Sequence, residues 1–190
     1  IAELMKNMMK QADIGQAALQ YGTTQGDLEF RTLLMNRLHR ERIFLPHSTL
    51  DDSHCIVGSG SQQILYLAAE TVLDEGDIVL LEAPTYFVVL GVFGSRGACP
   101  LGIDTDEQGM IPERLEESLE RLQRDGRLNK VKMLYLMTYA TNPLGVTLPQ
   151  ERRERIFSIL CRYRERGFPI LLVEDAAYRR LVYEGETPLP

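Results

Sequence analysis

Two hydrophobic rhythms alternate along this chain, and they constrain its fold more than any other feature. Short runs such as Ile78-Val79-Leu80-Leu81 are apolar at every position, and between them lie longer stretches whose apolar residues recur every three or four positions. A run without polar interruption suits a strand covered on both faces, as in a parallel sheet. The longer period suits amphipathic helices that supply the covering. Strands alternating with helices predict an α/β fold, a three-layer α/β/α arrangement around a mostly parallel sheet.

The individual elements follow from the same periodicity. Leu4, Met8 and Met9 predict a short helix over 3–12. Residues 21–26 read as a loop, and Asp27 as the cap of a helix to about Ile43. Cys55-Ile56-Val57 is expected to be a short strand. It runs into Gly58-Ser59-Gly60-Ser61, after which Ile64, Leu65, Leu67, Ala68, Val72 and Leu73 mark a helix closed by Gly76. Further helices are expected over 86–94, from Pro112 to about Arg124, and from Pro149 with Ile156, Ile159, Leu160 and Tyr163 inward. Strands are expected at 99–103, 131–137 and 170–173. With 190 residues and no internal repeat or linker, the chain is expected to form one layered domain. It starts at Ile1 and stops at Pro190, and is expected to be a piece of a longer protein.

Composition narrows the function. The formal net charge of -6 argues against a general nucleic-acid binder, which should be basic, and against an electrostatic membrane anchor. The longest uncharged stretch, 133–150, carries Asn142, Pro143, Gly145 and Pro149, so a spanning helix is not expected there. Cys55, Cys99 and Cys161 lack metal or redox spacing and sit among apolar residues, which predicts buried, reduced thiols in a cytoplasmic protein. His39, His47 and His54 have no ligand spacing, and no metal is expected. Arg152, Arg153, Arg155, Arg162, Arg164 and Arg166 alternate with Glu151, Glu154 and Glu165, which predicts a salt-bridged, solvated helix face. Met5, Met8 and Met9 suggest packing or a subunit contact.

In parallel α/β sheets, ligands bind beyond the carboxyl ends of the strands. Gly58-Ser59-Gly60-Ser61-Gln62-Gln63 follows one expected strand, Glu82-Ala83-Pro84-Thr85-Tyr86 another, Thr138 to Pro143 a third, and Glu174-Asp175-Ala176-Ala177-Tyr178 the last. Small residues before a helix let backbone amides approach a phosphate, although the same turn serves as an ordinary helix start with Ser61 as its cap. The turn also begins like a dinucleotide fingerprint, with Glu82 near the expected acidic position, but Gln63 replaces the third glycine. Asp175 is either a carboxylate needing a cationic partner or a helix cap, with Tyr178 one helical turn away. Tyr86 is a flat wall for a ligand or part of the core, and Asn142-Pro143 can be only a turn.

Taken in order, Tyr-Gly-Thr-Thr-Gln-Gly-Asp-Leu-Glu-Phe-Arg at 21–31, the run from Gly58 to Tyr86, the Asn-Pro-Leu-Gly turn at 142–145 and the Asp-Ala-Ala-Tyr turn at 175–178 resemble the class I/II aminotransferases of fold type I. The resemblance covers nearly the whole chain. It implies a partial large domain that binds pyridoxal 5'-phosphate, in a cytoplasmic homodimer of amino-acid metabolism, acting on an α-amino acid and a 2-oxo acid. It further implies that Gly60, Ser61 and Gln62 hold the phosphate, Tyr86 stacks on the ring, and Asn142 and Tyr178 bond the ring's phenolic oxygen. Asp175 would pair with the protonated ring nitrogen, and Tyr21 would reach the phosphate in the neighbouring subunit.

The family also uses a lysine that forms a Schiff base with the cofactor, expected about 30 residues beyond Asp175. The lysines here are Lys6, Lys10, Lys130 and Lys132, all before Asp175. The catalytic lysine, the carboxylate-binding arginine and the small domain are therefore expected outside this chain, which alone should be inactive. Arg31 reads as a helix residue rather than a substrate clamp. The same resemblance also fits the aminotransferase-like effector domain of GntR/MocR-type transcription regulators, lyases of the same fold, and a degenerate form without cofactor.

Overall fold

The structure is a computed structural model that describes residues 1–44 and 47–184. The terminal segment 187–190 lies outside the described residues. The chain divides into two compact units, Ile1–Gly58 and Ser59–Leu189.

The first unit carries helices α1 (Ala2–Met9), α2 (Ala12–Ala18) and α3 (Leu28–Arg40) and a 3-10 turn at Asp52–His54. Asp27 caps α3 as expected, its carboxylate accepting from the Phe30 amide at 2.8 Å. Arg31 lies on α3 and is buried; its Nε donates to the Gly26 carbonyl at 3.2 Å, and its Nη1 donates to the Asp52 carbonyl. Arg31 therefore ties the 21–26 loop to the 3-10 turn. The helix α2 was not anticipated from the sequence, and α3 stops short of Ile43. Leu4, Met5, Met8 and Met9 are exposed.

The expected strand at Cys55-Ile56-Val57 does not form. The segment is extended, with the Val57 amide donating to the Gln25 carbonyl at 2.9 Å, but it belongs to no ladder. Apolar composition supplies strand propensity, whereas a strand also needs a neighbour to pair with.

The second unit holds α4 (Ser61–Val72), β1 (Ile78–Ala83), α5 (Phe87–Gly94), β2 (Cys99–Asp106), β3 (Gly109–Met110), α6 (Pro112–Arg124), β4 (Val131–Met137), α7 (Gln150–Glu165) and β5 (Leu171–Asp175). The strands form one sheet in the order β3-β2-β1-β4-β5. All pairs are parallel except β2 with the two-residue β3.

Alternation of side chains along each strand sorts the core into two layers. Ile78, Leu80, Leu134 and Leu136 face Leu115, Leu119 and Leu122 of α6 and Ile156, Ile159, Leu160 and Tyr163 of α7. Val79, Leu81, Met133, Tyr135 and Met137 face Leu65 and Ala69 of α4 and Val89, Val92 and Phe93 of α5. This is the three-layer α/β/α arrangement expected from the sequence.

The arginines of α7 find their partners away from their own helix. Arg155 and Arg162 pair with Glu113 and Glu116 of α6. Arg152 makes a bidentate pair with Asp106 at 2.6 and 2.7 Å, and its Nη1 also donates to the Gly109 carbonyl at 3.1 Å. Gly109 needs its glycine: φ is +89°, and a Cβ would meet Leu148 Cδ1 at 2.8 Å.

The cysteines are free, but only Cys55 is buried; Cys99 is exposed and Cys161 half-buried. An apolar neighbourhood in sequence did not hide Cys99, because it opens β2 at the sheet's thinly covered side. Among the described residues, no helix is long and apolar enough to cross a membrane.

Candidate functional site

The strands β1, β4 and β5 all run the same way, so their carboxyl ends open onto one rim of the second unit. Four segments carry the candidate cofactor-binding residues other than Tyr21. Gly58-Ser59-Gly60 leads into α4, although no strand precedes it. Pro84-Thr85-Tyr86 joins β1 to α5. Thr138 to Pro149 joins β4 to α7, and Ala176 onward follows β5.

The start of α4 has no side-chain cap. Gly60, not Ser61, is the N-cap, with φ +101° and ψ 164°, a conformation open almost only to glycine. No atom would lie within 4 Å of a Cβ there, so the space above it is open. No side chain caps the helix end, and Ser61 is the first helical residue. The first amides of a helix have no acceptor within it and carry its positive pole. Gln63 instead turns back to accept from the Ser59 amide at 2.5 Å, which fixes the loop and leaves the first turn clear. Gly60, Ser61 and Gln62 are all exposed.

Asp175 ends β5 on the α4/α5 face, two residues beyond Val173, which packs on that face. Its Oδ2 accepts from the Tyr135 hydroxyl at 2.8 Å and its Oδ1 from the Ala177 amide at 3.1 Å. The second contact is an Asx-turn. The alternative reading of Asp175 as a helix cap is not met: residues 177–180 form a turn, with the Arg179 amide on the Ala176 carbonyl and the Leu181 amide on the Tyr178 carbonyl. A half-buried carboxylate with two donors still has lone pairs for a third.

Tyr86 and Tyr178 are half-buried and pack against the α4/α5 core layer to which Tyr135 belongs. Tyr86 meets Phe87 edge to face at 5.8 Å between ring centroids. Beside Tyr86, the Thr85 hydroxyl oxygen is buried and has no hydrogen-bond partner. Such an oxygen is costly to bury unless something else bonds it. Asn142 is half-buried in a loop braced by Thr141, whose amide donates to the Val146 carbonyl at 2.8 Å and whose hydroxyl accepts from the Val146 amide at 3.2 Å. Tyr21 is fully exposed in the first unit.

Two groups matter here in ways the sequence did not indicate, Glu82 having been read there only as the acidic position of a dinucleotide fingerprint. Tyr135 reads as a core strand residue, and only the register of β4 against β5 brings its hydroxyl to Asp175. Glu82 projects to the opposite face, where its Oε2 accepts from the Met137 amide at 3.0 Å and its carboxylate also takes a hydrogen bond from the Met110 amide. Burial pushes its pKa up from the ordinary 4.5 to about 7, against the pull of those two amides. Among the lysines, Lys130 pairs with Asp77 at 3.6 Å near the amino end of β1, the end of the sheet opposite the rim.

An anion cradle at one helix start, an oriented carboxylate at a strand end and flat aromatic rings suit a planar, phosphorylated, cationic heterocycle. Comparison with known proteins gives the family. The profile described as aminotransferase class I and II matches residues 1–189. The chain is 36% identical over 190 residues to the aromatic-amino-acid aminotransferase 1 of Thermococcus litoralis, covering all of this chain and 42% of that protein. The crystal structure of the Pyrococcus horikoshii kynurenine aminotransferase, in complex with PMP, superposes with a TM-score of 0.84 at 34% identity, over 99% of this chain and 43% of that one. An HTH-type transcriptional regulator of Bacillus subtilis, YdfD, is 30% identical over 187 residues, 98% of this chain and 35% of its own length. The chain thus spans about two-fifths of the length of these relatives.

Proposed function

Because the chain belongs to the class I and II aminotransferase family, we propose that it is the partial large domain of an enzyme that moves an amino group between an α-amino acid and a 2-oxo acid with pyridoxal 5'-phosphate. The single observation that carries this reading is the carboxylate of Asp175, held on both oxygens at the strand end while keeping lone pairs for a further donor.

The proposed cofactor, when bound, supplies an electron sink through its protonated ring nitrogen. The protein's own groups do the rest. The amides at Gly60, Ser61 and Gln62 and the Ser61 hydroxyl take the phosphate, using the positive end of α4. Tyr86 covers one face of the ring and excludes water from it. Asn142 and Tyr178 bond the phenolic oxygen and so tune the acidity of the reacting centre. Asp175 holds the proton on the ring nitrogen, since an adjacent anion favours the charged form of a base. Tyr21 serves the phosphate in the partner subunit of a homodimer. The catalytic lysine belongs to the part of the family's length that this chain does not match. Lys130, tied to Asp77 at the far end of the sheet, is no substitute.

The substrate class is supported by relatives whose names specify aromatic amino acids, 2-aminoadipate and kynurenine. The cysteines, few and without paired spacing, support a reducing, cytoplasmic setting. A second reading has one specific support, the 30% identity to a helix-turn-helix regulator. In that reading the same cradle senses an effector, and a DNA-binding segment is fused to it.

The test is the visible absorption of the full-length protein with added cofactor, before and after Asp175→Ala. Expected is a yellow protein with transaminase activity that the variant loses by at least about a hundredfold, the scale of one lost electrostatic contact at a reacting centre. A colourless wild type with added cofactor contradicts the proposal. Colour without turnover, together with binding to specific DNA, favours the regulator.

A further inference from the structure

The Tyr135 phenol lies under the site and has no part in the roles assigned so far. It is fully buried in the middle of β4, and its ring is wedged edge to face against Phe93 of α5 with centroids 6.0 Å apart. Phe93 is itself fully buried, so the phenol has no freedom to swing. Its hydroxyl ends 2.8 Å from Asp175 Oδ2.

A carboxylate at a strand end ordinarily rotates about two bonds. Here one oxygen is held from the backbone by the Ala177 amide, and the other from the sheet by the Tyr135 hydroxyl. Two donors on different oxygens fix the plane of the group. Burial, reinforced by the neighbouring Asp175, pushes the phenol pKa well up, so the group stays a neutral donor throughout the working range. A donor that cannot ionise never turns into a second anion beside Asp175.

We infer that Tyr135 is a positioning residue for the cofactor ring: it orients the Asp175 carboxylate so that a protonated ring nitrogen meets a fixed anion. The inference rests on the proposed cofactor reading and adds a residue to it. The alternative is that Tyr135 merely fills the core and its hydroxyl uses Asp175 as a convenient acceptor, as buried tyrosines must find some partner.

The two roles separate with a pair of ligands. Pyridoxamine 5'-phosphate and its 1-deaza analogue, in which carbon replaces the ring nitrogen, are titrated against the full-length protein and its Tyr135→Phe variant by fluorescence. Tyr135→Phe weakens the natural ligand about tenfold, the scale of a hydrogen bond to a charged group, and leaves the deaza analogue within twofold. In an Asp175→Ala background the same substitution changes neither affinity, which keeps the test decisive if Tyr135→Phe alone lowers stability. Equal losses for both ligands, or no loss for either, overturn the role of Tyr135 while leaving the cofactor reading intact. Failure of the wild type to bind either ligand overturns the cofactor reading and this inference with it.

Discussion

Gly60 and Glu82 show how single residues set the terms at the rim. Gly60 adopts a φ of +101° with open space around it, so an added methyl group meets no protein atom and its cost is backbone strain. Strain of that kind is about 1–3 kcal/mol. Gly60→Ala is therefore expected to lower stability by about that amount and to weaken binding of pyridoxal 5'-phosphate much more than that of pyridoxal, which lacks the phosphate. Paired titrations of the two ligands check this, and equal weakening would place the phosphate elsewhere. Glu82 governs pH instead. Its folded pKa of about 7 lies above the unfolded 4.5, so the native state holds its proton more tightly. The contribution is complete below pH 4.5 and is lost as pH rises through 7, about 3 kcal/mol in all. Denaturant titrations from pH 4 to 8 should show that decline, and Glu82→Gln should flatten it. Of these residues, the glycine turn and Asp175 were legible in the sequence because their chemistry is local. Tyr135 was not, and Glu82 read only as the acidic position of a dinucleotide fingerprint, because each acquires its meaning from a neighbour 40 or 55 residues away.

At the level of elements, periodicity succeeded where the apolar pattern itself marks the buried surface. The spans of α6 and β4 came out as expected because Pro112 starts one and a run apolar at every position but Lys132 defines the other. It failed where pairing or tertiary contact decides. Cys55-Ile56-Val57 has strand composition and no ladder partner, while the two-residue β3 pairs with β2 and is also held by Arg152 and Glu82 through its backbone. That arrangement sets Arg152 apart from Arg155 and Arg162 of the same helix. Its side chain is 17% exposed, against 52% and 53% for Arg155 and Arg162. Arg152→Ala removes the Arg152 donor from the Gly109 carbonyl and leaves Asp106 its hydrogen bond from the Gln108 amide, and is expected to cost about 1–2 kcal/mol. Arg155→Ala and Arg162→Ala, which break exposed pairs, should leave the thermal midpoint almost unchanged. Thermal unfolding of the three variants side by side decides the matter, and equal shifts would mean that the β3 clamp carries no weight.

At the scale of the second unit as a whole, the parallel order β2-β1-β4-β5 is what makes a shared rim. Segments far apart in sequence end on the same side of one sheet, and the α4/α5 layer brings Tyr86, Tyr135, Tyr178 and Val173 into one cluster beneath it. The fold class could be foreseen, since alternation of strand and helix allows few other topologies. The Tyr135–Asp175 link could not, since it depends on register. The most direct measurement is a crystal structure of the full-length protein grown with pyridoxal 5'-phosphate. The phosphate is expected against the first amides of α4 at Ser61 and Gln62, and the ring nitrogen within hydrogen-bond distance of Asp175, with Tyr135 still bonded to that carboxylate. Density for the cofactor away from α4, or with its ring nitrogen turned from Asp175, would contradict the account.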